Sequence, residues 1–207
     1  GTQDLASKVM INALKGTPTQ LLKGDVKVAA DELLKRGLSP NEKGIAALEA
    51  RIAELNSEIA NKIGSSTALI NKQKVLDRLQ GVRDRFVKTV NPESDLAAIQ
   101  NVGTEFSRHP LASGENIPIQ LAQEMKKATG LELRKKYGEL GSAQTEAQKS
   151  IVRGLKEEIA AAEPSVASLN AEERALFRTL NVAERRSFME MNKDPVPLYG
   201  ALRSPTA

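Results

Sequence analysis

The sequence predicts an all-α protein made of helical hairpins and a helical bundle, and three observations favour this fold class. Apolar residues recur at intervals of three and four along most of the 207 residues, as they do on one face of a helix. Proline and glycine fall mainly between these periodic segments. Aromatic residues are only 3% and tryptophan is absent, so we expect an aliphatic core of closely packed helices. The pattern leaves open whether the bundle is elongated.

The first region, 1–38, is predicted to contain short helices. Helical spacing of apolar residues predicts one helix over 2–15 and another over 25–36. Gly37 stands where a glycine commonly ends a helix.

The second region, 39–91, is predicted to be an antiparallel αα-hairpin that partly resembles a coiled coil. Ser39-Pro40-Asn41-Glu42 has the pattern of a capping box with proline at the first helical position. Gly64 ends this helix, and a second one is predicted over 67–90 after a short loop. Apolar residues spaced by four and three form a packing seam, within the chain or between copies: Ile45, Leu48, Ile52, Leu55, Ile59, Leu79 and Phe86.

The third region, 92–192, is predicted to be a helical bundle. Its periodic segments predict helices over 92–108, 118–137, 142–162 and 170–191. Asn170-Ala171-Glu172-Glu173 has the pattern of a second capping box, opening the last helix. The remaining residues, 193–207, include Pro195, Pro197 and Pro205. They predict a proline-rich docking tail, for which another chain is one candidate partner.

Catalytic chemistry is not indicated by any residue pattern. The chain has no cysteine and a single histidine, His109, whose sequence neighbours offer neither a carboxylate nor a second metal ligand. No phosphate-binding glycine loop occurs, and no apolar run approaches the roughly 20 residues that span a bilayer. We therefore expect no catalytic residue, no metal site, no cofactor and no enzymatic activity, and we leave membrane contact open.

Basic residues give one candidate nucleic-acid surface. The formal net charge is +4, but Lys and Arg are spread evenly between the two halves of the chain, which weakens a nucleic-acid interpretation. The predicted helix over 67–90 carries a basic stripe that could face DNA: Lys74, Arg78, Arg85 and Lys88. The alternative interpretation is an ordinary solvated face, since Asp77 and Asp84 lie beside the stripe.

A succession of short segments in the second half of the chain is distinctive. It comprises Ile117-Pro118-Ile119-Gln120-Leu121-Ala122-Gln123-Glu124-Met125-Lys126, Lys136-Tyr137-Gly138-Glu139-Leu140-Gly141-Ser142-Ala143, Glu146-Ala147-Gln148-Lys149, Arg153-Gly154-Leu155-Lys156-Glu157-Glu158-Ile159 and Leu169-Asn170-Ala171-Glu172-Glu173. Over roughly 105–192 the chain resembles a segment of large helical proteins from tailed-bacteriophage and prophage genomes. Some of those proteins look like internal virion proteins, which leave the capsid with the DNA and help it cross the host envelope.

The resemblance and the residue patterns together predict a non-enzymatic virion structural component. It would be an internal or ejection-type protein, or a piece of one, located in the virion and delivered toward the host envelope. The expected partners are further copies of the chain and other virion proteins, with a DNA contact at the basic stripe. Two alternatives are a DNA-binding helical protein and a capsid scaffold or adaptor.

Overall fold

The computed structural model describes residues 1–136 and 141–191, apart from the side chains of residues 135 and 191. It confirms the all-α fold class. The helices in chain order are α1 (Thr2–Leu14), α2 (Pro18–Leu22), α3 (Asp25–Arg36), α4 (Glu42–Ile63), α5 (Lys72–Leu76), α6 (Leu79–Phe86), α7 (Pro92–Ser107), α8 (Ile119–Glu132), α9 (Ala143–Ala162) and α10 (Ala167–Met191). The docking tail predicted over 193–207 lies outside the described residues.

Two short strands interrupt the helices. Strand β1 (Leu69–Asn71) pairs antiparallel with β2 (Asn116–Pro118), and Ile70 stands opposite Ile117. Both isoleucine side chains are buried, so the strand pair closes one side of a helical core rather than forming a sheet of its own.

The prediction of a single helix over 67–90 is wrong, because β1, α5 and α6 occupy that span. Asn71 ends the strand and caps α5, its side-chain oxygen accepting from the backbone N–H three residues later at 3.1 Å. Lys72 then turns inward, and its ammonium donates to the backbone carbonyls of Ser107 and Ala112. These local hydrogen bonds compete with continuous helix, which apolar spacing alone does not reveal.

The interruption also removes the long partner helix of the hairpin predicted over 39–91. Helix α4 packs mainly against α10 and α8 instead. Its start differs from the prediction as well, since Asn41, not Ser39, is the capping residue and accepts from the Gly44 N–H at 2.9 Å. The predicted end near Gly64 is confirmed.

Two aliphatic cores hold the chain together, and α4 contributes to both. The N-terminal core joins α1, α3, α4 as far as Leu55, and α10 through Leu14, Val26, Ala29, Ala30, Leu33, Leu48, Ile52, Leu55, Leu176, Leu180 and Val182. The central core surrounds α9 with α5, α6, α7, α8 and the strand pair, and it takes in Ile59 and Ile63 from the second half of α4. Regions that are distant in sequence therefore share each core.

The predicted packing seam is divided between these cores. Leu48, Ile52 and Leu55 are buried in the N-terminal core, while Ile59 and Leu79 are buried in the central core. The two outer members, Ile45 and Phe86, are half-buried against the same clusters. The seam residues thus pack within their own chain, and they do so against several helices.

Glycine at one position allows a close crossing over α9. A Cβ added to Gly154 would lie 3.0 Å from Val75 Cγ1 and 2.9 Å from Arg78 Cδ. Only a residue without a side chain lets α5 and the following turn approach α9 this closely. Val75 is itself a residue of the central core, so the crossing lies at the edge where α5 joins that core.

An ion-pair cluster ties α10 to the N-terminal helices. Glu172 accepts two hydrogen bonds from Arg51, at 3.0 and 3.1 Å, and one from Arg36 at 2.8 Å. Hydrogen bonds from Arg51 and then Arg36 lower the pKa of Glu172 to about 2. One carboxylate therefore links α3, α4 and α10.

Leu55→Ala is expected to destabilise the chain by about 2–5 kcal/mol, because it opens a cavity at a fully buried position. Leu111→Ala, at a side chain that is 72% exposed, is the matched control and should change the free energy of unfolding by less than about 0.5 kcal/mol. Urea denaturation measures both. Because Leu55 packs within one chain, the loss should not depend on protein concentration; a loss that appears only at high concentration would place the seam between copies.

Candidate functional site

A basic cleft lies where α8, α9 and α10 meet beside α4. Its volume is about 890 Å³, within the range of small-molecule sites in proteins. The cleft exists because α9 and α10 contact each other little along their lengths. Each packs into a different core, and the space between them is lined mainly by the sides that face away from the cores. Phe177 is an exception, because it lines the cleft and also packs against the N-terminal core.

Each long helix contributes one row of side chains with the same spacing. The α9 row is Lys149, Val152, Arg153, Lys156, Glu157 and Ala160, and the α10 row is Asn170, Glu173, Arg174, Phe177, Arg178 and Asn181. Positions i, i+3, i+4, i+7, i+8 and i+11 lie along one side of a helix. The rows therefore form opposite walls. Helix α8 adds Lys126, Lys127, Gly130 and Leu131.

Positive charge is concentrated in this cleft. Its lining holds three acidic residues, Asp25, Glu157 and Glu173, against eight basic ones: Lys23, Lys126, Lys127, Lys149, Arg153, Lys156, Arg174 and Arg178. The resulting net charge of +5 exceeds the +4 of the whole chain. A cleft lined by one sign of charge focuses the field and attracts counter-ions of the opposite sign.

Some of these cations are neutralised by carboxylates. Arg178 Nε lies 2.6 Å from Asp25 Oδ1, and Lys149 Nζ lies 3.0 Å from Glu146 Oε1. Within the described residues, five cations of the cleft form no ion pair: Lys23, Lys127, Arg153, Lys156 and Arg174. These groups are the ones available to an anionic ligand.

Buried polar side chains form the floor of the cleft. Lys126 is only 2% exposed, and its ammonium donates to Asn170 Oδ1 at 3.1 Å and lies 3.4 Å from Glu173 Oε1. Burial lowers the pKa of Lys126, against the opposing effect of Glu173. Behind this group, Gln123 donates to the side-chain oxygen of Asn56 at 3.3 Å.

Three polar atoms at or behind the floor have no hydrogen-bond partner among the described residues. Asn170 Nδ2 and Glu173 Oε2 belong to buried residues that line the cleft, and Gln123 Oε1 lies behind them outside the lining. The amide orientation of Asn170 follows from Lys126, because an ammonium can donate only to the amide oxygen. The Nδ2 donor is therefore left over. Buried polar groups are nearly always paired, so unpaired ones beside a cleft suggest groups that a ligand satisfies.

Lys156 is the half-buried cation of the α9 row. Burial is the largest influence on it and lowers its pKa to about 8. Glu173 and Glu157 act to raise that pKa, while Lys126 and Arg174 act to lower it. An ammonium placed this way gains from an anion that replaces its lost hydration.

The predicted basic stripe does not form a continuous ridge. Lys74 and Lys88 are exposed, but Arg78 pairs with Glu157 and Glu158 of α9 at 2.8 and 3.1 Å. Arg85 likewise lies 3.3 Å from Glu146 of α9. The break between α5 and α6 invalidates the helical projection that aligned the four residues. A DNA-facing role for them stays a prediction.

The capping box predicted at Asn170 is wrong. A 3-10 turn at Pro164–Val166 leads directly into α10, which begins three residues before Asn170. Asn170 therefore lies in the first turn, buried, where it accepts from Lys126. The cleft residues themselves were missed by the sequence analysis. A usable signal was the repeated spacing of polar residues opposite the apolar face of 142–162 and 170–191.

The other candidate sites offer less support for a function. His109 is half-buried and lies in a turn, its Nδ1 accepting from the Leu111 N–H at 3.2 Å. The described ranges contain no cluster of three or more histidine and acidic side chains able to hold a metal. No helix within them is long and apolar enough to cross a membrane.

Comparisons of the chain with known protein families, with curated proteins and with solved structures found no match.

Lys156→Met is expected to stabilise the chain at pH 7 by about 1–3 kcal/mol. An ammonium whose pKa falls from 10.5 when exposed to about 8 in the fold opposes folding at neutral pH, because the unfolded chain binds the proton more tightly. In the native sequence the free energy of unfolding should rise between about pH 8 and pH 10.5, and the variant should lack this rise. Urea denaturation across this pH range measures both effects.

Arg153→Met is the matched control, since Arg153 lies in the same row but is exposed. It should shift stability by less than about 0.5 kcal/mol and leave the pH dependence unchanged. An identical pH dependence in the native chain and Lys156→Met would show that Lys156 is not a buried cation.

Proposed function

We propose that this chain is a non-enzymatic component of a tailed-bacteriophage virion, and that its basic cleft holds the phosphate backbone of nucleic acid. The observation that carries the proposal is the net charge of +5 around one cleft, with five cations unpaired among the described residues. Phosphate neutralisation by Lys and Arg releases condensed counter-ions and supplies most of the sequence-independent affinity for nucleic acid.

The proposal of a phage virion component rests on the sequence resemblance over roughly 105–192. The segments that carry it contribute to α8, α9 and α10, the helices that enclose the cleft. They include seven polar residues of its lining: Lys126, Lys149, Arg153, Lys156, Glu157, Asn170 and Glu173. The segment that resembles phage proteins and the segment that builds the cleft are thus largely the same.

The dimensions of the cleft favour a single strand or a strand end over a duplex. A volume of about 890 Å³ suits a ligand of nucleotide size, whereas duplex DNA is read across open surfaces and grooves. The lining cations Lys127, Arg153 and Arg174 are exposed, so they would attract the strand from solvent. An internal virion protein that leaves the capsid with the genome would need to bind nucleic acid in this sequence-independent way.

Assembly with further copies, proposed here too, requires a surface other than the predicted seam. The first two helices expose apolar side chains, with Leu5 64%, Val9 61% and Leu22 90% exposed. We place the contact between copies, and with other virion proteins, on this apolar surface.

Mass spectrometry of purified phage particles tests the proposed virion location. The chain should be present in finished virions, and its absence from them would favour the scaffold alternative. A monomeric mass by light scattering at all concentrations would contradict self-assembly.

Charge reversal separates the cleft from the basic stripe. Lys127→Glu/Arg153→Glu should weaken binding of a short fluorescein-labelled single-stranded DNA by at least about tenfold, and should flatten the dependence of log affinity on log salt by about 0.7 per lost phosphate contact. Lys74→Glu/Lys88→Glu makes the same change in net charge away from the cleft and should change affinity by less than about threefold. Fluorescence anisotropy at several salt concentrations measures both.

All four substituted residues are exposed, so both double variants should keep the fold. If only the Lys74/Lys88 variant lost affinity for DNA, the result would indicate that DNA binds at the basic stripe and not in the cleft. No binding by the native chain at low salt would overturn the proposed function.

A further inference from the structure

The floor of the cleft presents unused hydrogen-bond donors of two kinds. The Nδ2 of Asn170, a lining residue that is only 3% exposed, is buried without an acceptor, and Lys156 makes no hydrogen bond or ion pair within the described ranges. Lys126 is already committed to Asn170 Oδ1 and Glu173. An oxygen-rich anion on this floor would therefore meet one neutral amide donor and one ammonium donor that have no other partner there.

The charge of the floor favours an anion with more than one negative charge. Lys126 and Lys156 share the carboxylate of Glu173, and Glu157 also acts on Lys156. The exposed cations Lys127, Arg153 and Arg174 line the same cleft, so positive charge remains in excess. A phosphate monoester carries a charge of about −1.5 to −2 at neutral pH and three terminal oxygens, whereas a backbone phosphodiester carries −1. The monoester therefore balances more of the excess positive charge than a phosphodiester does.

The rest of the lining suits the body of such a ligand. Val152, Ala160, Ala171 and Phe177 provide an apolar wall, against which a sugar and a base can pack. Glu173 Oε2, an acceptor without a donor in the described part of the chain, could accept a hydrogen bond from a hydroxyl group. These features distinguish a phosphorylated nucleoside from a bare inorganic anion.

We infer that the floor of the cleft is a receptor for a terminal phosphate, held by Lys156 Nζ and Asn170 Nδ2, on a free nucleotide or on the end of a nucleic-acid strand. This inference rests on the proposed function and adds to it the ligand group and the two atoms that recognise it. The backbone of a longer strand would then follow the exposed cations toward solvent.

Calorimetric titration of the full chain with AMP and with adenosine tests the phosphate directly. AMP should bind at least about tenfold more tightly, the cost of a lost charge-assisted hydrogen bond. Lys156→Met should lower AMP affinity by at least about tenfold. Lys74→Met removes the same charge at an exposed position outside the cleft and should change it by less than about twofold.

Asn170→Asp is the sharper variant. It keeps an oxygen for Lys126, so the buried contact survives, but it replaces the Nδ2 donor with a charged acceptor. Its affinity for AMP should fall by at least about tenfold while its thermal unfolding temperature stays near or above that of the native chain. An unchanged AMP affinity in Asn170→Asp would overturn the inference.

Binding should also take up protons. Near pH 8 about half of the Lys156 side chains are neutral, and a bound dianion would favour the ammonium form. Glu173 and Arg174 of α10, Lys126 of α8 and Glu157 of α9 are the charged groups that act on it. Titrations in two buffers of different ionisation enthalpy should show uptake approaching half a proton in the native chain and much less in Lys156→Met. Equal uptake in both would contradict the assignment.

A short strand with and without a 5′-phosphate distinguishes the source of the group. Tighter binding of the phosphorylated strand, sensitive to Asn170→Asp, supports the receptor on a strand end; tight binding of AMP alone supports a free nucleotide. Equal binding of both strands, with no effect of Asn170→Asp and no preference for AMP over adenosine, overturns the receptor but leaves the proposed function intact. No binding of any probe overturns both.

Discussion

Helices α9 and α10 each bury one apolar side, and the two sides face different cores. Ala147, Ile151, Leu155 and Ile159 commit α9 to the central core, while Leu176, Leu180 and Val182 commit α10 to the N-terminal core. Because hydrophobic burial is the largest favourable contribution to folding, neither helix can turn toward the other without exposing its core residues. Their polar sides therefore face each other across a gap, and the cleft follows from this constraint.

The groups in that gap lower the stability of the fold. Burial of Lys126 and Lys156 disfavours their charged forms, and Asn170 and Glu173 each leave one polar atom unpaired within the described residues. Replacing such groups by apolar residues commonly stabilises a protein. Their presence beside a basic cleft is the pattern expected when a site is kept for binding at some expense of stability. Glu172, which links three helices through Arg36 and Arg51, supports the same wall from outside the cleft.

Apolar periodicity was sufficient to predict long helices, but it was insufficient to predict how the helices pack together. The helices predicted over 25–36 and 142–162 agree closely with α3 and α9, because caps and apolar spacing act locally. The helix over 67–90 failed where Asn71 and Lys72 formed hydrogen bonds that compete with helix. The cleft was out of reach for another reason: a polar side of a helix looks the same in sequence whether it faces water or another helix. Even division of charge between the halves of the chain also concealed its concentration in space.

The central claim is that a terminal phosphate binds where α9 and α10 diverge. The most direct measurement is a crystal structure of the full chain grown with AMP. The account predicts phosphate oxygens within about 3.2 Å of Lys156 Nζ and Asn170 Nδ2, with Lys126 still bound to Asn170 Oδ1. A cleft that holds only water at saturating AMP, or a nucleotide bound at another surface, would contradict it.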